Sequence, residues 1–127
     1  MASTGTLADG TSRLSVGGER LHHFNAVSAF AEHAVVPESA AVAIRDDVPL
    51  DVAALVGCAA LTGWGAVTRT AAVEPGASVA VWGCGPVGQF AIRSAYLLGA
   101  HQVIAIDDGT RVPERLKMAA DGKAITI

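Results

Sequence analysis

Gly83-Cys84-Gly85-Pro86-Val87-Gly88 places three glycines at the spacing G-x-G-x-x-G, and a carboxylate, Asp107, stands roughly twenty residues further on. In such a loop the first glycine makes a tight turn, the second lets the backbone approach a pyrophosphate, and the third lets a helix pack closely on a strand. The chemistry depends on context. A strand must lead into the loop and a helix must leave it, because the helix N-terminus supplies free N–H groups and the positive end of the dipole to an anion. A carboxylate at the end of the next strand would accept hydrogen bonds from adenosine ribose hydroxyls and repel a 2′-phosphate. That favours NAD, while Arg111 close by leaves NADP open. The alternative is a glycine turn that packs a helix on a sheet and binds nothing.

The elements around the loop have the required order. Residues 78–82 read as a buried strand, 86–98 as a helix with Val87, Phe90, Ala91 and Leu98 on one side, and 102–106 as a second strand. A helix over 113–120 and a strand over 124–127 extend this to β-α-β-α-β, and right-handed crossovers make the strands parallel. Upstream, Asp46 and Asp47 before Pro49 mark a helix start. The run 50–70 reads as two helical pieces, because Gly63 and Gly65 weaken its middle and predict a break or a close backbone contact. Residues 1–19 read as loop and turn. Residues 34–36 and 41–44 read as short strands about the turn Pro37-Glu38-Ser39.

Composition narrows the setting. Of 127 residues, 51% are apolar and 17% charged, against about 25% charged in an average domain. Such a chain is short of solvated surface, which suits a piece of a larger protein. A net charge of −3 gives no basic footprint for nucleic acid. The N-terminus lacks the basic and apolar regions of a leader, and no stretch is expected to reach bilayer-spanning length. The expectation is a cytoplasmic protein with no membrane partner. Two cysteines are too few for a disulfide framework and would remain thiols.

The chain resembles the zinc-containing medium-chain alcohol dehydrogenases, the family that includes formaldehyde dehydrogenases acting on thiol adducts. The resemblance covers nearly the whole chain. It is carried by Gly5-Thr6-Leu7-Ala8-Asp9-Gly10-Thr11-Ser12-Arg13, by His22-His23-Phe24, by Ser28-Ala29-Phe30-Ala31-Glu32, and above all by Gly57-Cys58-Ala59-Ala60-Leu61-Thr62-Gly63-Trp64-Gly65-Ala66. It implies that Cys58 is a catalytic zinc ligand, that Thr62 and Val87 contact the nicotinamide, and that Gly83, Gly85, Gly88 and Asp107 bind the rest of NAD. It implies an α/β fold: a remnant of a GroES-like catalytic domain over 1–58, then the first half of a Rossmann NAD-binding domain over 59–127. The implied reaction oxidises a primary or aromatic alcohol, or a hydroxymethyl-thiol adduct, by hydride transfer to NAD, with zinc as Lewis acid.

The departures from the family pattern matter as much. The family's other catalytic zinc ligands and its four structural-zinc cysteines lie upstream of the segment matched, and the rest of the dinucleotide sheet lies downstream. The chain is therefore expected to be an internal fragment, inactive alone, whose full-length parent could form a homo-oligomer. Ala26 replaces an expected glycine, and Asp108-Gly109-Thr110 reads as an insertion before Arg111-Val112-Pro113-Glu114-Arg115, beside the adenosine pocket. Without its motif, Cys58 would read as a small core residue. Cys84 reads as a filler and His22 and His23 as structural or surface residues facing opposite ways. His33 and His101 have no partner at ligand spacing. Trp64 and Trp82 are expected to pack in the core or beneath absent parts. Two alternatives stand beside the dehydrogenase. One is a non-catalytic nucleotide-binding or interaction module. The other is a methyltransferase, which leaves the Cys58–Thr62 block unexplained.

Overall fold

The computed structural model describes residues 4–7 and 9–127. Met1, Ala2, Ser3 and Ala8, all within the opening segment expected to be loop, lie outside the described residues. The chain divides into a smaller unit ending at Ala43 and a larger one, Ile44–Ile127.

The smaller unit corrects two expectations. A hairpin forms where loop was expected: β1 (Ser15–Val16) pairs antiparallel with β2 (Glu19–Arg20). Gly17 and Gly18 join the strands at φ of 57° and 85°, the positive values that a two-residue turn matching strand twist requires. The two strands expected between residues 34 and 44 do not form, and only a 3-10 turn at Glu38–Ala40 interrupts the irregular chain. Their β-branched residues have nothing to pack against, since Val35 is 62% and Val42 84% exposed. Strand propensity is chiefly a fit to a half-buried pleated surface, and no such surface is offered here. The two histidines do part company. His23 is buried, its Nε2 accepting the Arg13 N–H at 3.3 Å. His22 is exposed, its Nδ1 3.1 Å from the Thr4 carbonyl.

In the larger unit, α1 runs from Leu50 to Thr70, 21 residues without a break. The expected division into two pieces is corrected: the backbone stays helical through Leu55, Ala60 and Gly65, and the turns Val56–Ala60 and Ala66–Thr70 widen to π geometry. The close contact expected at the glycines is present at Gly63. By length and composition α1 could also cross a membrane, which corrects the expectation that no stretch reaches that length. Its apolar residues are mostly uncovered, Leu50 at 80% and Leu61 at 61% exposed. A helix apolar around its whole circumference suits a larger interior.

The strands β3 (Ser78–Trp82), β4 (Gln102–Ile106) and β5 (Ile125–Thr126) form a parallel sheet in the order β3-β4-β5. Helices α2 (Pro86–Leu97) and α3 (Pro113–Asp121) are the crossovers. The register pairs Val79 with Val103 and Val81 with Ala105, and these residues, with Ile92, Ala95 and Ala119 of the helices, form the core. Most of that core is alanine, so helices and sheet approach closely. The opposite face of the sheet is uncovered among the described residues, with Trp82 74% and Ile125 50% exposed. Trp64 is also exposed, at 44%, so neither tryptophan packs in a core.

Candidate functional site

The turn out of β3 is set by Gly83, at φ 89°, a value that costs a side chain strain and glycine nothing. Its N–H donates to the Ile106 carbonyl at 2.8 Å, extending the β3–β4 ladder to the loop. A Cβ on Gly88 would lie 1.8 Å from the Gly83 carbonyl oxygen, so only glycine lets α2 begin this close to the strand. A Cβ on Gly85 would meet nothing within 4 Å. It would project into open space in front of the helix.

Helix α2 begins with Pro86, which has no N–H, and its first bond runs from the Gln89 N–H to the Gly85 carbonyl at 2.9 Å. The N–H groups of Val87 and Gly88 precede that bond and remain available to an outside acceptor. No acidic residue sits in the first turn to compete for them. The loop's shape is held from two sides. The Cys84 N–H donates to Asp107 Oδ2 at 2.7 Å, and Gln89 Nε2 donates to the Cys84 carbonyl at 3.0 Å and the Arg115 carbonyl at 2.8 Å. Asp107 thus clasps the loop from the end of β4 and remains half-buried. Gln89, 8% exposed, ties the loop to α3. Sequence reasoning missed it, because only the fold brings the Cys84 and Arg115 carbonyls to one side chain.

Cys84 is fully buried and its thiol donates weakly to the Ile106 carbonyl at 3.8 Å. Burial, reinforced by the Asp107 charge and partly offset by Arg115, pushes this thiol's pKa up. It stays protonated at neutral pH and acts as packing, as its small size suggested. A cavity of about 600 Å³ adjoins the loop, between Leu55, Phe90 and Met118 and edged by Arg93 and Arg115.

The Cys58–Thr62 block lies on α1. Cys58 is exposed within the first π turn, and Thr62 is exposed as well. Gly63 is buried against α2, where a Cβ would stand 2.6 Å from the Val87 carbonyl oxygen and 2.7 Å from Phe90 Cβ. The fold therefore sets Thr62 next in sequence to the glycine that touches the backbone of Val87, although the two stand far apart in the chain. Val87 is 39% exposed, whereas Ala91, expected on the same side of α2, is buried at 8%.

These residues fit the two implied cofactors unequally. A dinucleotide finds a backbone cradle with open space at Gly85, two free N–H donors and a carboxylate at the neighbouring strand end. Zinc finds one thiol. No group of three or more His, Cys, Asp or Glu that could hold a metal exists among the described residues, and one donor cannot close a tetrahedral site.

No family model matches the chain. It is 47% identical over 104 residues to the S-(hydroxymethyl)glutathione dehydrogenase of Saccharomyces cerevisiae, covering 81% of this chain and 27% of that enzyme. It is 42% identical over 115 residues to the class-3 alcohol dehydrogenase of Myxine glutinosa, covering 91% of this chain and 30% of that protein. Among solved structures, an alcohol dehydrogenase zinc-binding domain protein from Burkholderia ambifaria matches 97% of this chain and 33% of its own, at 39% identity and a TM-score of 0.81. The benzyl alcohol dehydrogenase of Acinetobacter calcoaceticus matches 82% of this chain and 28% of its own, at 37% identity and a TM-score of 0.71. The chain thus spans about three tenths of the curated relatives it matches.

Proposed function

We propose, for a chain that belongs to the zinc-type alcohol dehydrogenase family, that it carries the adenosine and pyrophosphate half of an NAD site. The enzyme concerned oxidises a primary or aromatic alcohol, or a hydroxymethyl-thiol adduct, to the aldehyde level. One observation carries the reading: Asp107 at the end of β4 accepts the Cys84 N–H at 2.7 Å, which holds the glycine loop open in front of the α2 N-terminus. NAD, when bound, supplies the hydride acceptor. The chain's own residues bind and orient it. Gly83, Gly85 and Gly88 shape the backbone for the pyrophosphate, the Val87 and Gly88 N–H groups receive its charge, and Asp107 accepts the ribose hydroxyls. In a complete enzyme Thr62 and Val87 would meet the nicotinamide end; Gly63, next to Thr62, packs on the Val87 carbonyl.

Cys58 would contribute one thiolate to the zinc of a complete enzyme. No group of three or more possible donors forms among the described residues, so no step is assigned to a metal here. In this reading residues 1–58 belong with the catalytic domain and 59–127 with the cofactor domain, and the uncovered faces of α1 and of the sheet are where the remainder of a cytoplasmic enzyme packs.

Calorimetric titration of the folded chain with NAD and NADP, run beside elemental analysis for zinc, tests the proposal. NAD binding in preference to NADP, with zinc well below stoichiometric, is the expected outcome. A chain that is folded by circular dichroism and binds neither nucleotide would overturn it.

A further inference from the structure

The peptide that joins Cys84 to Gly85 is held by a side chain that the glycine spacing does not require. Gln89, in the first turn of α2 and 8% exposed, directs its Nε2 to two backbone carbonyls, that of Cys84 at 3.0 Å and that of Arg115 in α3 at 2.8 Å. Both partners are acceptors, so the amide nitrogen and not its oxygen must face them. Helix α3 fixes the Arg115 carbonyl, which makes the side chain an anchored donor and the Cys84 carbonyl the part it holds. The Cys84–Gly85 peptide is trans, and in a trans peptide the C=O and the following N–H point in opposite directions. With the Cys84 carbonyl turned to Gln89, the Gly85 N–H points away from it. That N–H has no hydrogen-bond partner among the described residues, and the space beside Gly85 is open, since a Cβ there would meet nothing within 4 Å.

This orientation is one of two. Rotating the peptide would exchange the directions of the carbonyl and the N–H, and glycine makes the rotation cheap: Gly85 sits at φ −67° and is free to take the positive φ that the rotated form needs. The preceding peptide is held separately, by Asp107 on the Cys84 N–H at 2.7 Å, which leaves the Cys84–Gly85 unit to Gln89. We infer that Gln89 is a positioning residue: it keeps the Cys84 carbonyl inward so that the Gly85 N–H stands outward, beside those of Val87 and Gly88, as a further donor to the pyrophosphate. The inference rests on the proposed NAD site and deepens it. Without Gln89 the carbonyl of Cys84, a residue with no exposed surface, loses its donor, and an unpaired buried acceptor gains by turning towards water. The rotated peptide would present a carbonyl oxygen to the phosphates in place of an N–H.

Amide resonance spectra of the whole 127-residue chain, recorded through a titration with NAD, test this. Saturating the unsubstituted chain is expected to move the Gly85 amide resonance together with those of Val87 and Gly88. Gln89→Met keeps the bulk of the side chain and removes its donor. It is expected to weaken NAD binding by roughly three- to tenfold, the effect of one hydrogen bond, and at saturation to leave the Gly85 amide unmoved while Val87 and Gly88 still respond. NAD bound to the unsubstituted chain with the Gly85 amide unmoved overturns the inference, leaves the NAD site standing and depends on no variant. Unchanged NAD affinity in Gln89→Met overturns it as well. So does weakened binding in which the Gly85 amide still responds, because Gln89 would then serve the fold and not the donor. Failure of the folded, unsubstituted chain to bind NAD overturns the underlying reading, and the inference with it.

Discussion

The glycine loop and the Cys58–Thr62 block are both motif-bearing, yet they differ in what they need from elsewhere. The loop is closed within one βαβ unit and the helix that follows it: Gly88 packs on Gly83, Asp107 clasps Cys84, and Gln89 ties the loop to α3. Its ligand-facing groups are backbone N–H donors, which come with the βαβ unit itself. The Cys58 block sits on a helix whose thiol is exposed, and no group of three or more possible metal donors forms among the described residues. A phosphate cradle can be built by one supersecondary unit, whereas a metal site must gather side chains from several segments. The difference teaches that one motif can be structurally intact and the other incomplete within a single chain.

That comparison can be broken most directly at its tightest contact. Gly88→Ala would drive a Cβ to 1.8 Å from the Gly83 carbonyl oxygen. Neither backbone can yield, so a loss of about 3 kcal/mol or more in urea unfolding is expected, and nucleotide binding should be lost with it. Gly63→Ala, where a Cβ would meet the Val87 carbonyl at 2.6 Å, should cost about 1–3 kcal/mol by prying α1 from α2. If Gly63→Ala proves neutral, the two motifs are not mechanically joined.

Asp107→Asn sharpens the comparison by leaving shape and removing charge. It should weaken NAD binding about tenfold while costing stability about 1 kcal/mol, because hydrogen bonds to a charged acceptor are worth roughly 1.5–3 kcal/mol. An unchanged NAD affinity would detach Asp107 from the ribose. A smaller effect should be visible in alkali. The folded state raises the Cys84 pKa, so its contribution to stability is present below the ordinary thiol pKa and declines as pH rises above it. Chemical denaturation of Cys84→Ala should therefore show a shallower stability loss above about pH 8.5 than the parent chain. Parallel curves would remove that role. Smallest of all, Cys58→Ser should change stability by less than about 0.5 kcal/mol and leave NAD affinity as it was. A larger change, or stoichiometric zinc in the parent that Cys58→Ser abolishes, would erase the contrast.

The βαβ half is largely legible in the residues alone. Val79, Val81 and Val103 announce buried strands, Pro86 a helix start, and the glycine spacing together with Asp107 a loop with a chemical purpose, because all of these are local patterns. Elsewhere local pattern misleads. Val35, Val36 and Val42 carry strand propensity that no sheet redeems, while Gly17-Gly18 holds a hairpin signal within a stretch that reads as loop. In α1 the weakness of Gly63 and Gly65 as helix formers suggests a break. Packing against α2 instead makes Gly63 necessary and the helix continuous.

The sequence by itself determined the order of the dinucleotide half, the identity of its loop and its family resemblance, since these depend on residue type at short spacing. Only the tertiary structure decided which atoms meet. It set Asp107 on the Cys84 N–H, Gln89 across to α3 and Gly63 against Val87. Such pairings cross large separations in the chain, where the closing contact depends on how helices and sheet pack rather than on any local preference.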